Sequence, residues 1–164
     1  MEIKIGTADD LKIIKELAET IWPICYGEII SNEQINYMLD LIYSPQALKA
    51  QLEKGHQFII AIEENTPVGF ASFSEKSEEE PSVFRLHKLY VVTTLHAKGI
   101  GSFLLDYVCA ESKKAGAHLL ELNVNKYNPA KNFYDRKGLN ILKEEVIDIG
   151  NGYVMDDYVM AKHL

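Results

Sequence analysis

The stretch HAKGIGSFLLDYV, residues 96–108, runs from a short glycine-containing loop directly into an amphipathic segment. Its apolar residues recur at helical spacing, and they predict a helix over residues 99–114 that Gly116 ends. A helix that begins on such a loop presents free backbone N–H groups and the positive end of its dipole. Because these groups favour negative charge, the stretch predicts an anion-binding loop at residues 96–102.

Two common phosphate-binding loops do not fit this stretch. A Walker A loop needs the pattern GxxxxGK[ST], and a dinucleotide-binding loop needs a third glycine at the position of Leu104. What remains is a loop whose successive N–H groups face a pyrophosphate, with Lys98 adding positive charge. For the four residues KGIG taken alone, a tight turn without a ligand remains the alternative.

The rest of the chain predicts an α+β fold around this helix. The predicted strands are residues 2–5, 58–62, 68–73, 83–92, 118–125, 139–147 and 152–162. The other predicted helices are residues 11–21, one or two over residues 32–54, and a short one from Asn128 to Gly138. The order strand, helix, strand predicts a right-handed crossover and a parallel pair. We therefore expect a mixed, mostly antiparallel sheet with a parallel pair at its centre and helices on both faces.

Length and composition restrict the classes of function. The 164 residues suit a single domain, residues 1–164, and a net charge of −7 without a basic run argues against nucleic-acid binding. No apolar run is long enough to span a membrane. Two cysteines in no metal or disulfide spacing favour a reducing cytoplasm, and five histidines without a ligand-pair spacing predict no metal site.

Two blocks of the sequence resemble the GNAT superfamily of N-acetyltransferases. LYVVTTLHAKGIG, residues 89–101, resembles its acyl-CoA signature, a strand followed by Gln or Arg-x-x-Gly-x-Gly or Ala at a helix start. NPAKNFYDRKGL, residues 128–139, resembles its block Asn-x-Ala-x-x-Phe-Tyr-x-x-x-Gly-Phe. His96 replaces the usual Gln or Arg, Ala97 the common glycine and Leu139 the usual Phe. None of these changes removes a backbone donor.

The resemblance implies a fold, a reaction and a donor site. It implies a GNAT-like fold and direct attack by a primary amine, of a small molecule or a peptide, on acetyl-CoA in a ternary complex, without a metal. The strand at residues 89–91 would bind the pantetheine arm through its backbone, and the loop would bind the pyrophosphate. The donor-binding residues implied are Leu89, Tyr90, Val91, His96, Ala97, Lys98, Gly99, Ile100, Gly101, Ser102, Asn128 and Tyr134.

Three residues are candidates for moving protons. The resemblance implies that Tyr134 donates a hydrogen bond to the thioester sulfur and protonates the departing thiolate. His87 stands where polyamine-type relatives carry an acid, and a histidine with an ordinary pKa of about 6.5 suits a base at neutral pH. Glu121 on the next strand is the second candidate base. For each, a structural role in the sheet remains the alternative.

The acceptor is less well defined by the sequence. Trp22, Tyr26 and Tyr37 loosely resemble acceptor-binding positions of the bacterial polyamine-acetylating branch. Dimerisation through the closing strand, residues 152–162, is an arrangement common among relatives, and a buried core strand is its alternative. Because His87 departs from the usual acid, a regulatory module that binds acyl-CoA without transfer is the alternative function.

Overall fold

Seven strands and five helices make up the fold in the computed structural model, which describes residues 1–164. The strands are β1 (Glu2–Gly6), β2 (Gln57–Glu63), β3 (Thr66–Ser77), β4 (Glu80–Val91), β5 (Leu119–Asn125), β6 (Asn140–Gly150) and β7 (Tyr153–His163). The helices are α1 (Leu11–Tyr26), α2 (Asn32–Tyr43), α3 (Pro45–Glu53), α4 (Ile100–Lys114) and α5 (Ala130–Arg136). The predicted elements are all present.

The strands form one sheet in the order β1-β2-β3-β4-β5-β7-β6. Only β4 and β5 pair in parallel, and every other neighbouring pair is antiparallel. The helix α4 connects the parallel pair, as a crossover must. The predicted α+β class and the central parallel pair are therefore confirmed.

Helices cover both faces of the sheet because successive strand residues point to opposite sides. On one face, Ile59 and Ala61 of β2 join the core formed with α4 and α5. On the other, Phe58 and Ile60 join the core formed with α1, α2 and α3. Full burial of each large apolar side chain stabilises the fold by about 1.5–3 kcal/mol.

Local capping signals set the boundaries between the first helices. The backbone N–H of Thr7 donates to Asp10 Oδ2 at 2.8 Å in the turn before α1. The Ser44 hydroxyl accepts from the Ala47 N–H at 3.2 Å, and Pro45 occupies the first turn of α3. The region at residues 32–54 is therefore two helices, as its Ser-Pro pair allowed.

The prediction for the closing strand needs correction. The closing strand β7 is not a sheet edge, because it pairs with β5 on one side and β6 on the other. A dimer through an edge of β7 is therefore wrong, since β6 is the edge strand.

The parallel pair separates part-way along its length. The residues Val83–Leu86 of β4 pair with Leu119–Leu122 of β5, and beyond them the two strands no longer pair with each other. His87 is an extra residue in β4, since Leu86 pairs with Phe73 and Lys88 with Ser72 on β3. A bulge of this kind bends its strand and increases the local twist, so it turns β4 away from β5.

Candidate active site

A cleft of about 880 Å³ opens where β4 and β5 separate. The ends of α1, α4 and α5 close it on its other sides. It is lined by all of the predicted donor-binding residues except Lys98, which is exposed: Leu89, Tyr90, Val91, His96, Ala97, Gly99, Ile100, Gly101, Ser102, Asn128 and Tyr134. Residues from two distant blocks of sequence therefore meet at one site.

The edge of β4 that faces the cleft offers a backbone donor. The Val92 N–H donates to the Val68 carbonyl of β3 at 2.9 Å, so the backbone of Val91 points away from β3. The Val91 carbonyl lies 3.1 Å from His96 Nε2, and because a carbonyl only accepts, Nε2 is the donor. The Val91 N–H is left to bond a ligand, and His96 holds the loop against the strand.

The start of α4 offers three more donors. The first bond of the helix runs from the Phe103 N–H to the Gly99 carbonyl at 3.0 Å, which leaves the N–H groups of residues 100–102 without a helical partner. Gly99 has φ +82°, and a Cβ added there would meet nothing within 4 Å. Ala97 also adopts a positive φ of 67°, a conformation that suits glycine better. The loop is open to a phosphate group.

Arg136 and Lys137 also line the cleft, and the sequence analysis did not assign them to it. They follow Tyr134 at the end of α5. Two consecutive basic residues at this point of the sequence could have indicated that they contribute to anion binding. Lys137 Nζ donates to Asp106 at 2.8 Å, whereas Arg136 is exposed. Together they add positive charge to a site already built of N–H donors, which suits a polyanionic ligand.

Tyr134 lies inside the cleft with only 6% of its surface exposed. Burial, with smaller contributions from Tyr26 and Cys25, raises the pKa of Tyr134 above its ordinary value of 10.0. The phenol therefore stays protonated and remains a hydrogen-bond donor at any physiological pH. Asn128 lies nearby and accepts from the Ala130 N–H at 2.9 Å, so it caps α5 as well as lining the cleft.

His87 lines the cleft, and its imidazole is held by neighbours on the sheet. Its Nε2 lies 2.7 Å from the Ser74 hydroxyl, and its ring stacks on His56 with centroids 3.9 Å apart. Partial burial, followed by the charges of His56, Lys88 and Arg85, lowers the pKa of His87 to about 3. The imidazole is therefore neutral at pH 7.

Glu121 does not line the cleft. Its Oε2 lies 3.3 Å from both Arg85 and Lys76, and the side chain is almost fully buried. Arg85 also donates to the amide oxygen of Asn123, a cleft residue that the sequence analysis did not single out. Tyr134 and His87 therefore line the cleft, whereas Glu121 lies outside it and is paired with Arg85 and Lys76.

The three aromatic residues assigned to the acceptor have different surroundings. Tyr26 lines the cleft, and its hydroxyl lies 2.9 Å from that of Tyr90. Trp22 is 3% exposed and packs on Tyr26 with ring centroids 4.6 Å apart, outside the cleft lining. The Tyr37 hydroxyl donates to the Ile149 carbonyl at 2.8 Å and so connects α2 to the end of β6.

A family model described as an acetyltransferase (GNAT) domain matches residues 28–156 of the chain. The chain belongs to the GNAT acetyltransferase family. Acetyl-CoA is the acyl donor of this family, and the cleft provides what that donor needs: an open strand edge for an amide-containing arm and N–H groups with basic residues for phosphates. No relative among curated proteins matches.

Solved structures share the GNAT fold over the full length of the chain. The PaiA N-acetyltransferase of Thermoplasma acidophilum, in complex with coenzyme A, is 24% identical and covers 100% of both chains with a TM-score of 0.81. A GCN5-related N-acetyltransferase from Rhodopseudomonas palustris is 21% identical, covering 99% of this chain and 95% of its own, with a TM-score of 0.84. The YncA protein of Salmonella typhimurium, with its cofactor acetyl-CoA, is 19% identical, covering 100% and 94%, with a TM-score of 0.72. At these identities the likeness establishes the fold.

Two further observations concern membrane-spanning segments and metal sites. None of the helices is both long and apolar enough to cross a membrane. The structure contains no group of three or more His, Cys, Asp and Glu side chains arranged to hold a metal ion.

Proposed function

We propose that this GNAT protein transfers the acetyl group of acetyl-CoA directly to a primary amine of a small molecule or peptide, in a ternary complex. The observation that carries the proposal is the cleft between β4 and β5, where the free Val91 N–H and the protonated Tyr134 hydroxyl lie at one site. Bound acetyl-CoA supplies an activated thioester carbonyl there. The residues of the cleft orient the donor and the acceptor and move the protons.

Each group in the cleft has a defined task in this proposal. The N–H groups of residues 100–102 and the basic residues Arg136 and Lys137 bind the phosphates of the donor. The Val91 N–H donates to the carbonyl oxygen as negative charge develops on it. The Tyr134 hydroxyl donates a hydrogen bond to the sulfur that leaves and protonates it, and the proton that the attacking amine releases restores the phenol. Because an ordinary thiol pKa of about 8.5 lies below the pKa of the phenol, the transfer depends on this replacement proton.

The acceptor must lose a proton before it can attack. An alkylamine with a pKa of about 10.4 is neutral in roughly one molecule in a thousand at pH 7, so a proton acceptor accelerates the reaction. His87 and Glu121 remain the proposed bases. His87 is better placed, because it lines the cleft, whereas Glu121 lies outside the cleft and is paired with Arg85 and Lys76. The lowered pKa of His87 nevertheless makes its imidazole a weak proton acceptor in the free protein.

Polyamines are the acceptors that we propose to test first. Tyr26 supports an acceptor site beside Tyr134, and Trp22 and Tyr37 support the walls of that site through their packing on α1 and on the end of β6. A peptide amine is the second class. The aromatic side chains offer apolar surface and ring faces that attract cations of either class.

The test is a two-substrate kinetic analysis with acetyl-CoA and a panel of primary amines. Release of free CoA and the mass of the product report transfer, and direct attack predicts intersecting double-reciprocal lines. Parallel lines would indicate an acetyl-enzyme intermediate and contradict direct attack. Acetyl-CoA binding without transfer to any amine would favour the regulatory module instead.

A further inference from the structure

Two carboxylates face each other across β6 and β7. Glu145 pairs with Asp157 in the register of these strands, so the two side chains lie on the same face of the sheet. Met155, two residues before Asp157, belongs to the core under α1, α2 and α3, which identifies the face. Glu145 is half-buried and Asp157 is 5% exposed. We call Glu145 and Asp157 the carboxylate pair.

Asp157 is buried with part of its bonding capacity unused. Its Oδ2 accepts from Asn123 Nδ2 at 3.2 Å, and its Oδ1 is buried without any hydrogen-bond partner. Burial, with the charges of Glu145 and Asp156, raises the pKa of Asp157, and only Asn123 and Arg85 oppose the shift. A buried carboxylate with a free oxygen is unfavourable unless something binds it.

Neighbouring cations do not neutralise the carboxylate pair. The Arg85 guanidinium bonds Glu121 and the amide oxygen of Asn123. Lys126 pairs with Glu144 at 3.3 Å and Asp156 at 2.9 Å, residues whose side chains lie on the opposite face. Like charges directly opposite each other destabilise a sheet, so the arrangement favours a cation from outside the chain.

The carboxylate pair adjoins the cleft through Asn123. The Nδ2 of Asn123 donates to Asp157 and lies 3.5 Å from Glu145 Oε2, while the residue itself lines the cleft. Tyr26, which lies beside Tyr134, is also close enough that the Asp157 charge contributes to the raised pKa of Tyr26, after burial and Cys25. Neither member of the carboxylate pair lines the cleft itself, so Asn123 is the contact that joins the pair to the cleft.

We propose that Glu145 and Asp157 bind a second ammonium group of the acceptor, distinct from the neutral amine that attacks the thioester, with the Asn123 amide oriented between them. This subsite rests on the proposed function, and it selects cationic acceptors over neutral ones of the same shape. An ammonium has donors for the free Oδ1 of Asp157 and for Glu145, and its charge offsets the repulsion between the two carboxylates. None of the residues assigned from sequence covers this role.

Isosteric variants test the subsite. Asp157→Asn and Glu145→Gln keep shape and remove one charge each, and Glu144→Gln is the control, since Glu144 is the exposed neighbour on the other face. With the best diamine of the panel, we expect the KM of the diamine to rise about 10- to 100-fold in the first two variants, with the KM of acetyl-CoA unchanged. Glu144→Gln should leave both values unchanged. An unchanged acceptor KM in both Asp157→Asn and Glu145→Gln would overturn the proposal.

A stability measurement separates binding from a structural role. Because folding raises the pKa of Asp157 above its ordinary value of 3.8, ionisation of Asp157 increasingly destabilises the fold as the pH rises above that value, and the loss is complete above the raised pKa. Asp157→Asn should therefore raise the thermal midpoint at pH 7, and the gain should shrink toward pH 4. A lower midpoint in Asp157→Asn, together with normal KM values in Glu145→Gln, would mean that the pair only supports the fold.

Ligand binding is measurable even if no amine is acetylated. In the acetyl-CoA-bound protein, the side-chain amide of Asn123 should shift in NMR spectra on addition of butylamine and not on addition of 1-butanol. Absent turnover together with this shift would contradict the proposed reaction and leave the subsite standing. No response to butylamine, or a response to MgCl₂ instead, would overturn the subsite.

Discussion

At the scale of single residues, Tyr134 combines burial with an unused donor. Because burial raises the pKa of its hydroxyl, the group stays protonated and can donate to the thioester sulfur as negative charge develops there. We expect Tyr134→Phe to lower kcat at least about 100-fold, in the range typical of a lost general acid, while acetyl-CoA affinity stays unchanged. Single-turnover kinetics and calorimetry measure the two quantities.

Tyr127→Phe is the matched control for this substitution, because Tyr127 is 73% exposed and outside the main cleft. It should leave kcat unchanged. Full turnover in Tyr134→Phe would show that another group, or water, protonates the thiolate.

His87 differs from an ordinary histidine in its protonation. The folded protein keeps it neutral, with a pKa lowered to about 3, whereas the unfolded chain protonates it near pH 6.5. Folding stability should therefore fall as the pH drops from about 6.5 toward 3, and His87→Gln should reduce that fall. Urea unfolding at several pH values measures the effect, with the exposed His118→Gln as the control.

The lowered pKa of His87 also predicts how kcat/KM depends on pH. A limb of the kcat/KM profile between pH 5 and 8 should keep its position in His87→Gln, because His87 does not titrate there. A limb that moves in this variant would show that His87 carries a nearly ordinary pKa in the complex with substrates.

At the scale of elements, the start of α4 depends on the backbone of Gly99. A side chain at its φ of +82° costs about 1–2 kcal/mol, although its Cβ would have open space. Gly99→Ala should lower the free energy of unfolding by that amount. It should also raise the KM of acetyl-CoA, because the methyl group lies on the open side of the phosphate loop.

Gly101→Ala is the control for the loop. Its Cβ would lie 3.4 Å from the Phe133 ring, a tolerable contact, and residue 101 is helical. Urea unfolding and donor kinetics should show a smaller effect than in Gly99→Ala. Equal effects would mean that packing, not the positive φ, governs the loop.

Tyr37 holds α2 against the end of β6, and the acceptor site that we propose depends on this contact. Tyr37→Phe removes the hydrogen bond to the Ile149 carbonyl and should cost about 0.5–1.5 kcal/mol of stability. The KM of the acceptor should rise and that of acetyl-CoA should not. Tyr153→Phe is the control, because it keeps the ring contact with Tyr37 at 5.3 Å. An unchanged acceptor KM in Tyr37→Phe would separate this contact from the acceptor site.

At the scale of the whole molecule, binding of the donor couples to unfolding. A ligand at about 100 times its dissociation constant stabilises the folded state by about 2.7 kcal/mol, which for a domain of this size raises the thermal midpoint by roughly 5–10 °C. We expect this shift with acetyl-CoA and a smaller one with ADP or NAD. An equal shift with ADP would indicate that the loop binds phosphate groups in general and is not specific for acetyl-CoA.

The sequence alone determined the elements and the donor loop. Periodicity, caps and turn glycines are local signals, and they placed the strands, the helices and the break at Ser44 close to where the structure has them. The two GNAT blocks identified the family and most of the residues that we assigned to the cleft, although not Asn123, Arg136 or Lys137. The conformation of a glycine and the capping of a helix start depend on residues only a few positions away. A short segment of sequence is therefore enough to predict them.

Tertiary structure decided which side chains meet. The bulge at His87 depends on its partners in β3, and the position of Glu145 opposite Asp157 depends on the register of β6 and β7. Burial of Trp22 and the lowered pKa of His87 likewise arise from residues far away in the chain. Because burial and the distances between charges are properties of packing, the carboxylate pair beside the cleft became visible only in the folded protein.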